Sequence, residues 1–371
     1  PNARTPELLL AEALRLKEQG DNEAALLLLT EVETHGDPRS QIMARTRRAN
    51  MWGLQGRHQP ALDLFRDALY ATDPVDLLLM AEVHRGMGRA YYGLGENASA
   101  IEHFEIALRL FEEAGSATNV AHLHHEIGSV QSDIGRLDAA FASYQRALAH
   151  WDATNATGWR LITLNNIADL YHTQGRWQEA LVIHDEIGPA ARDYGYTLIE
   201  ATSRLTVGAI HADMQDYDAA LDALNEGLES AERGEYPYLI AHGLDAIGNV
   251  YRALGDLNEA QARLEEALGL AQLRSLPQQA AQAMLSLGLL ALNRGDLSQA
   301  AEWLEQARDA FIEQDAHARV ASTEFALARL DFRRRDTVSA GQRLDNAARL
   351  SAELGYDQFL VDAATEEPEL A

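Results

Sequence analysis

Nine times in this chain a turn residue is followed five positions later by an alanine, and from the third turn onward the turns recur every forty residues. The turn positions are Gly20, Gly56, Gly95, Gly135, Gly175, Gln215, Gly255, Gly295 and Arg335. Their alanines are Ala25, Ala61, Ala100, Ala140, Ala180, Ala220, Ala260, Ala300 and Ala340. A fixed period of about 20 to 50 residues marks a stack of supersecondary units, none of which can bury its apolar face alone.

Aligning the units on the turn exposes the rest of the pattern. Seven residues before it the side chain is always small, as in Gly88, Gly128, Ala168, Gly208, Gly248 and Gly288. Nine residues after it a bulky side chain recurs (Phe65, Phe104, Tyr144, Leu224, Leu264, Leu304), with an alanine three further on in most units. These offsets follow helical spacing on both sides of the turn, so each unit is a helix A, a short turn and a helix B. The small residue lets the two backbones approach, and the bulky one fills the groove beside it. Glycine suits a turn whose backbone is left-handed; Gln215 and Arg335 are read as tolerated strain at the same position. Asp138, Asp218, Asn258 and Ser298, three past the turn, are the expected caps of helix B.

The order small, aromatic, turn glycine, Ala, aromatic, Ala, as in Gly88-Tyr91-Gly95-Ala100-Phe104-Ala107, resembles the tetratricopeptide repeat (TPR) from about residue 6 to 355. The resemblance implies an all-α fold, a right-handed superhelical solenoid of about nine antiparallel helix pairs. Two departures stand out: the usual helix-ending proline is mostly missing, and the period is forty residues, not about thirty-four. The extra residues lengthen each helix by a little under one turn. Long repeats of this kind are similar to the sensor regions of bacterial signal-transduction ATPases of the maltose-regulon activator type, and to repeats in some eukaryotic scaffold proteins. Residues 1–364 are expected to form one solenoid domain, with a further helix starting at Tyr356, and 365–371 an acidic flexible tail. A start at Pro1-Asn2 without methionine reads as a segment of a longer protein.

With 47% apolar and 24% charged residues the composition suits a soluble protein, and no run approaches the roughly 18 apolar residues of a membrane helix. The formal net charge is -26. Without a basic block that could follow a phosphate backbone, nucleic-acid binding by this segment is disfavoured; Arg333-Arg334-Arg335 is read as a solvated turn. The absence of cysteine removes disulfides and thiolate chemistry and agrees with a reducing cytoplasm. The glycosylation-like triplets at Asn97 and Asn155 are read as chance.

Chemistry has little to stand on. His122, His124, His125 and Glu126 are the densest set of metal-ligand types, yet no second helix is bound to complete a site, so groove-lining polar residues are the preferred reading. Gly86, Gly88, Gly93 and Gly95 lack the strand that a phosphate loop requires. No catalytic constellation is held by spacing, and exposed helices exclude little water. The chain is therefore not expected to be an enzyme, nor to carry a cofactor.

What stacked helix pairs do offer is a concave surface lined by the A helices. Carrying the TPR groove positions over unit by unit gives Arg85, Arg89 and Tyr92, then His122, His125 and Ser129, then Asn165, Asp169 and His172. The seventh unit adds His242, Asp245, Asn249 and Arg252, and the eighth turns apolar with Leu285, Leu289 and Leu292. The family's carboxylate clamp of Lys and Asn is not reproduced. The resemblance implies a sensor or regulatory domain of a bacterial signalling or transcription-regulating protein, binding a protein, a peptide or a small polar ligand in the groove and contacting other domains of its own chain. A constitutive scaffold is the alternative.

Overall fold

A computed structural model describes residues 5–314 and 316–353. The further helix expected from Tyr356 and the acidic tail lie outside them. The chain divides into two compact units, residues 1–163 and 164–371. In the first lie α1 (Pro6–Glu18), α2 (Asn22–His35), α3 (Pro38–Leu54), α4 (His58–Ala71), α5 (Leu77–Gly93), α6 (Asn97–Glu113), α7 (Ala117–Asp133) and α8 (Leu137–Thr154). The division falls within α9 (Thr157–Thr173). The second unit continues with α10 (Trp177–Asp193), α11 (Thr197–Asp213), α12 (Tyr217–Arg233), α13 (Pro237–Leu254), α14 (Leu257–Leu273), α15 (Pro277–Arg294), α16 (Leu297–Glu313), α17 (His317–Arg333) and α18 (Thr337–Glu353). No strand occurs among the described residues.

The odd-numbered helices are the A helices and the even-numbered ones the B helices of the repeat. From α5 onward each helix runs 17 or 18 residues and a new one begins every twenty, which accounts for the period of forty. The A-to-B turns are left-handed as expected, Gln215 (φ 60) and Arg335 (φ 64) included. A second left-handed series, unexpected from the sequence, joins α6, α8, α10, α12 and α14 to the A helix that follows each: Gly115, Asn155, Gly195, Glu235 and Ser275.

The expected caps need correction. Helix B starts two residues past the turn, so the capping position is turn plus one, where Asp216, Asp256, Asp296 and Asp336 accept from the backbone N–H three residues on. Asp138, Asp218, Asn258 and Ser298 already lie inside the helix, where Asp138 and Asp218 still face the positive end of the helix dipole.

The small-against-large contact between A and B helices is as the pattern demands. A Cβ placed on Gly88, Gly128, Gly208, Gly248 or Gly288 would come within 2.5 to 2.7 Å of Phe104, Tyr144, Leu224, Leu264 or Leu304 respectively. Each bulky ring or branch therefore occupies the space its glycine vacates. The apolar stripe of the eighth repeat is a second correction. Leu285 and Leu292 are buried in a cluster with Leu304, Phe311, Val320 and Leu327, and Leu289 packs against it. On α15 those positions face the next repeat instead of the groove, so the stripe is core and offers no exposed contact surface.

Candidate functional site

Polar side chains link successive A helices within each unit. In the first unit Glu126 on α7 accepts from two arginines of α5: Arg85 Nε at 2.9 Å, and Arg89 through a guanidinium nitrogen. Burial raises the Glu126 carboxyl, but Arg89 and Arg85 outweigh it and hold it below the usual carboxylate range. Beside this pair of links the Tyr92 hydroxyl donates to Asp133, and burial with that carboxylate pushes the phenol upward. His125 shares a hydrogen with Thr163 at 3.1 Å, and Ser129 donates to the His125 carbonyl at 3.2 Å.

His122 and His125 also build an aromatic cluster. The His122 ring lies 4.9 Å from Trp151 and 4.4 Å from Trp159, and His125 lies 5.5 Å from Tyr144. Burial lowers the His122 imidazole to about 4, so at neutral pH it is an apolar-packed neutral ring. Trp159, which sequence reasoning missed, keeps 42% of its surface exposed there. These rings, with Glu126 engaged by arginine, replace the metal site considered from the sequence. Among the described residues no three His, Cys, Asp or Glu side chains are placed to hold an ion.

In the second unit Asn165 donates to Asp169 at 3.1 Å, and His172 Nε2 lies 2.6 Å from Asp213 of α11. Burial raises Asp169 to about 6 against the pull of His172. Further on, Asn249 Nδ2 contacts Asp245 Oδ2 at 3.1 Å and Ser286 of α15 at 3.0 Å, while Arg252 Nε donates to Asn249 Oδ1 at 3.2 Å. Asp245 is only 6% exposed, and burial raises it to about 6. His242, one turn before it, is exposed.

All thirteen sequence-derived positions therefore fall on A helices, in two sets that the structure describes separately. Their exposure is uneven: Arg85, on Glu126, is 17% exposed and Asp245 is buried, whereas Arg89 and His242 are exposed. Within each unit links such as Arg85 to Glu126 and Asn249 to Ser286 join neighbouring A helices, so groove residues also hold repeats together. Glu126→Ala, which strands Arg85 partly buried without its carboxylate, is expected to cost about 1.5 to 3 kcal/mol. Arg89→Ala removes a guanidinium that is 48% exposed and is expected to cost under about 1 kcal/mol. Urea melts of the two variants check this ordering.

Two cavities open along these faces. The first, about 510 Å³, lies among α1, α3 and α5; Leu29, Met51, Phe65 and Ala90 give it an apolar lining, joined by Lys17, Arg47 and Arg89. The second, about 270 Å³, lies among α13, α15 and α17 and is lined by His242, Asp245, Gln278, Gln279, Gln282, Gln314 and Arg319 with Phe311. Neither was legible beforehand, because their walls come from helices forty residues apart. No helix of the described residues is long and apolar enough to cross a membrane.

Comparison with known proteins agrees with this geometry. A Rap protein solved in complex with competence and sporulation factor superposes with a TM-score of 0.70 at 15% identity, covering 94% of this chain and 98% of that one. The apo quorum sensor NprR from B. thuringiensis gives 0.68 at 14%, covering 93% and 97%. A signal transduction ATPase with a tetratricopeptide repeat sensor from Pyrococcus horikoshii gives 0.61 at 14%, covering 96% of this chain but 55% of that one. The Arabidopsis thaliana protein kinesin light chain-related 1 is 27% identical over 148 residues, which are 37% of this chain and 24% of that protein. Residues 79–153, 159–233 and 239–313 match the tetratricopeptide repeat family, and with more than half its length so matched and its helix pairs packed in that pattern, the chain belongs to that family.

Proposed function

We propose that this chain is a non-catalytic sensor or regulatory domain of a larger bacterial, cytoplasmic signalling or transcription-regulating protein, and that its A-helix faces bind a peptide, a protein or a small polar ligand. The observation that carries the reading is the coincidence, within each unit, of polar A-helix side chains with an open cavity on the same face. Two of the similar structures point the same way: one Rap protein is solved in complex with competence and sporulation factor, and the Pyrococcus horikoshii signal transduction ATPase has a tetratricopeptide repeat sensor. A sensor of this kind works by binding one of two conformations more tightly than the other.

The test is a screen of peptides and metabolites against the purified chain, followed by calorimetric titration of Arg89→Ala and Asn165→Ala. Hydrogen bonds to charged groups are worth about 1.5 to 3 kcal/mol, so a ligand contacting either residue is expected to lose on the order of tenfold to a few hundredfold in affinity. Unaltered affinity in both variants, with the ligand mapped to the B helices, overturns the assignment of the face.

A further inference from the structure

The smaller cavity has an unusual balance of donors and acceptors. Asp245 is more than nine-tenths buried; one carboxylate oxygen faces Asn249, and Oδ1 has no hydrogen-bond partner. Gln314 gives its amide nitrogen to the Pro277 carbonyl at 3.2 Å. A carbonyl only accepts, so the orientation of that amide is determined and its Oε1 is left buried and unpartnered. Gln282 lines the same cavity as Asp245, and its Oε1 is again buried without a partner. Three acceptors, one of them charged, thus line one cavity of about 270 Å³.

Buried polar groups are nearly always hydrogen-bonded, because leaving one unmatched costs about 1 to 3 kcal/mol. The complementary group is a primary ammonium, with three N–H donors, no acceptor and one positive charge for Asp245. Hydroxyls and amides bring fewer donors and leave the charge unmatched. On the same lining is Arg319 of α17, exposed, its guanidinium without a hydrogen bond or ion pair among the described residues. Its guanidinium would repel a simple amine but would pair with a carboxylate carried beside the ammonium. The volume falls below the range of about 300 to 1,000 Å³ usual for drug-sized ligands, which restricts the occupant to a small molecule.

We propose that the cavity between α13, α15 and α17 binds a free α-amino acid, its ammonium on Asp245, Gln282 and Gln314 and its carboxylate on Arg319. This deepens the sensor reading by naming a ligand class, and it rests on that reading. Titration calorimetry and thermal melts with the standard amino acids test it on the chain as it stands. At least one amino acid is expected to bind and raise the melting temperature, and its α-N-acetyl derivative to lose binding. Asp245→Asn, which keeps size and removes charge, is expected to weaken affinity at least about tenfold, with an unchanged helical circular dichroism spectrum. Arg319→Ala, at an exposed position, is expected to weaken the free amino acid but not its carboxamide. The proposal is overturned if no amino acid binds, if the acetylated form or the carboxamide binds the wild type as tightly, or if Asp245→Asn binds unchanged. Capture of another ligand that both variants retain would leave the broader sensor reading intact while removing this one.

Discussion

Acidification from pH 6.5 to about 4 is expected to destabilise the fold by several kcal/mol. Burial lowers His84, His122 and His184 from the ordinary 6.5 to about 4. His84 faces His103 at 2.9 Å, which disfavours a second positive charge, and His184 Nε2 is buried without a partner. In the unfolded chain each imidazole takes a proton near pH 6.5; in the fold it stays neutral until about 4. The unfolded state therefore binds more protons throughout that window, and stability falls as pH falls. A displacement of this size corresponds to about 3 kcal/mol per residue at about 1.36 kcal/mol per pH unit, less for the partly solvated His122.

Two carboxylates oppose the trend. Asp169 and Asp245, raised from 3.8 to about 6, bind protons in the fold before they do in the unfolded chain, which adds stability as pH drops through 6. Three histidines against two aspartates leave a net loss on the order of 3 kcal/mol near pH 4, and His103, His124 and His125, also lowered mainly by burial, shift it further the same way. Denaturant melts between pH 4 and 8 measure it. Stability that is level or rising toward pH 4 would show that these imidazoles are solvated in the fold.

Gly248→Leu is expected to be the most damaging of the single substitutions considered. Even the first carbon of the new side chain would sit 2.7 Å from Leu264 Cγ and 3.2 Å from the Ala260 carbonyl oxygen. Leu264 is fully buried and has no room to retreat, so α13 and α14 must separate. Overpacking costs about 1 to 3 kcal/mol and occasionally more; the backbone contact puts this case at the upper end. Arg252→Ala, on the same helix, removes a half-buried side chain that donates to Asn249 Oδ1 and is expected to cost no more than about 1 kcal/mol. Thermal melts that coincide for the two variants would mean that the A and B faces have been exchanged.

The pairing of Gly248 with Leu264 was legible because a small and a large residue recur sixteen positions apart in unit after unit, and one helical period explains all of them. Gln215 was legible for the same reason: its neighbours kept the pattern although the residue itself did not. Glu235 and Ser275 were not, since nothing in their chemistry favours a left-handed backbone, and that conformation is imposed by the helices on either side. At the site, spacing put Asp245 and Asn249 on one face of α13 but carried no information on how closely α15 approaches. Hence Ser286, Gln282 and the burial of Asp245 became visible only in three dimensions. Glu126 was noticed as a metal ligand because histidines flank it in sequence; the arginines that claim it lie about forty residues earlier.

The regular twenty-residue spacing of helix starts has a consequence for how such a chain can change length. An α13-to-α15 contact such as Asn249 to Ser286 joins residues about one full unit apart. Removing or duplicating a block of forty residues, cut at either series of turns, therefore hands each surviving helix a neighbour of the kind it already has. A change of any other length puts an A helix where a B helix belongs, or a bulky residue where a glycine stood. The chain thus tolerates growth and loss in one quantum only, and a binding cavity can be gained or deleted by recombination without redesigning the core around it.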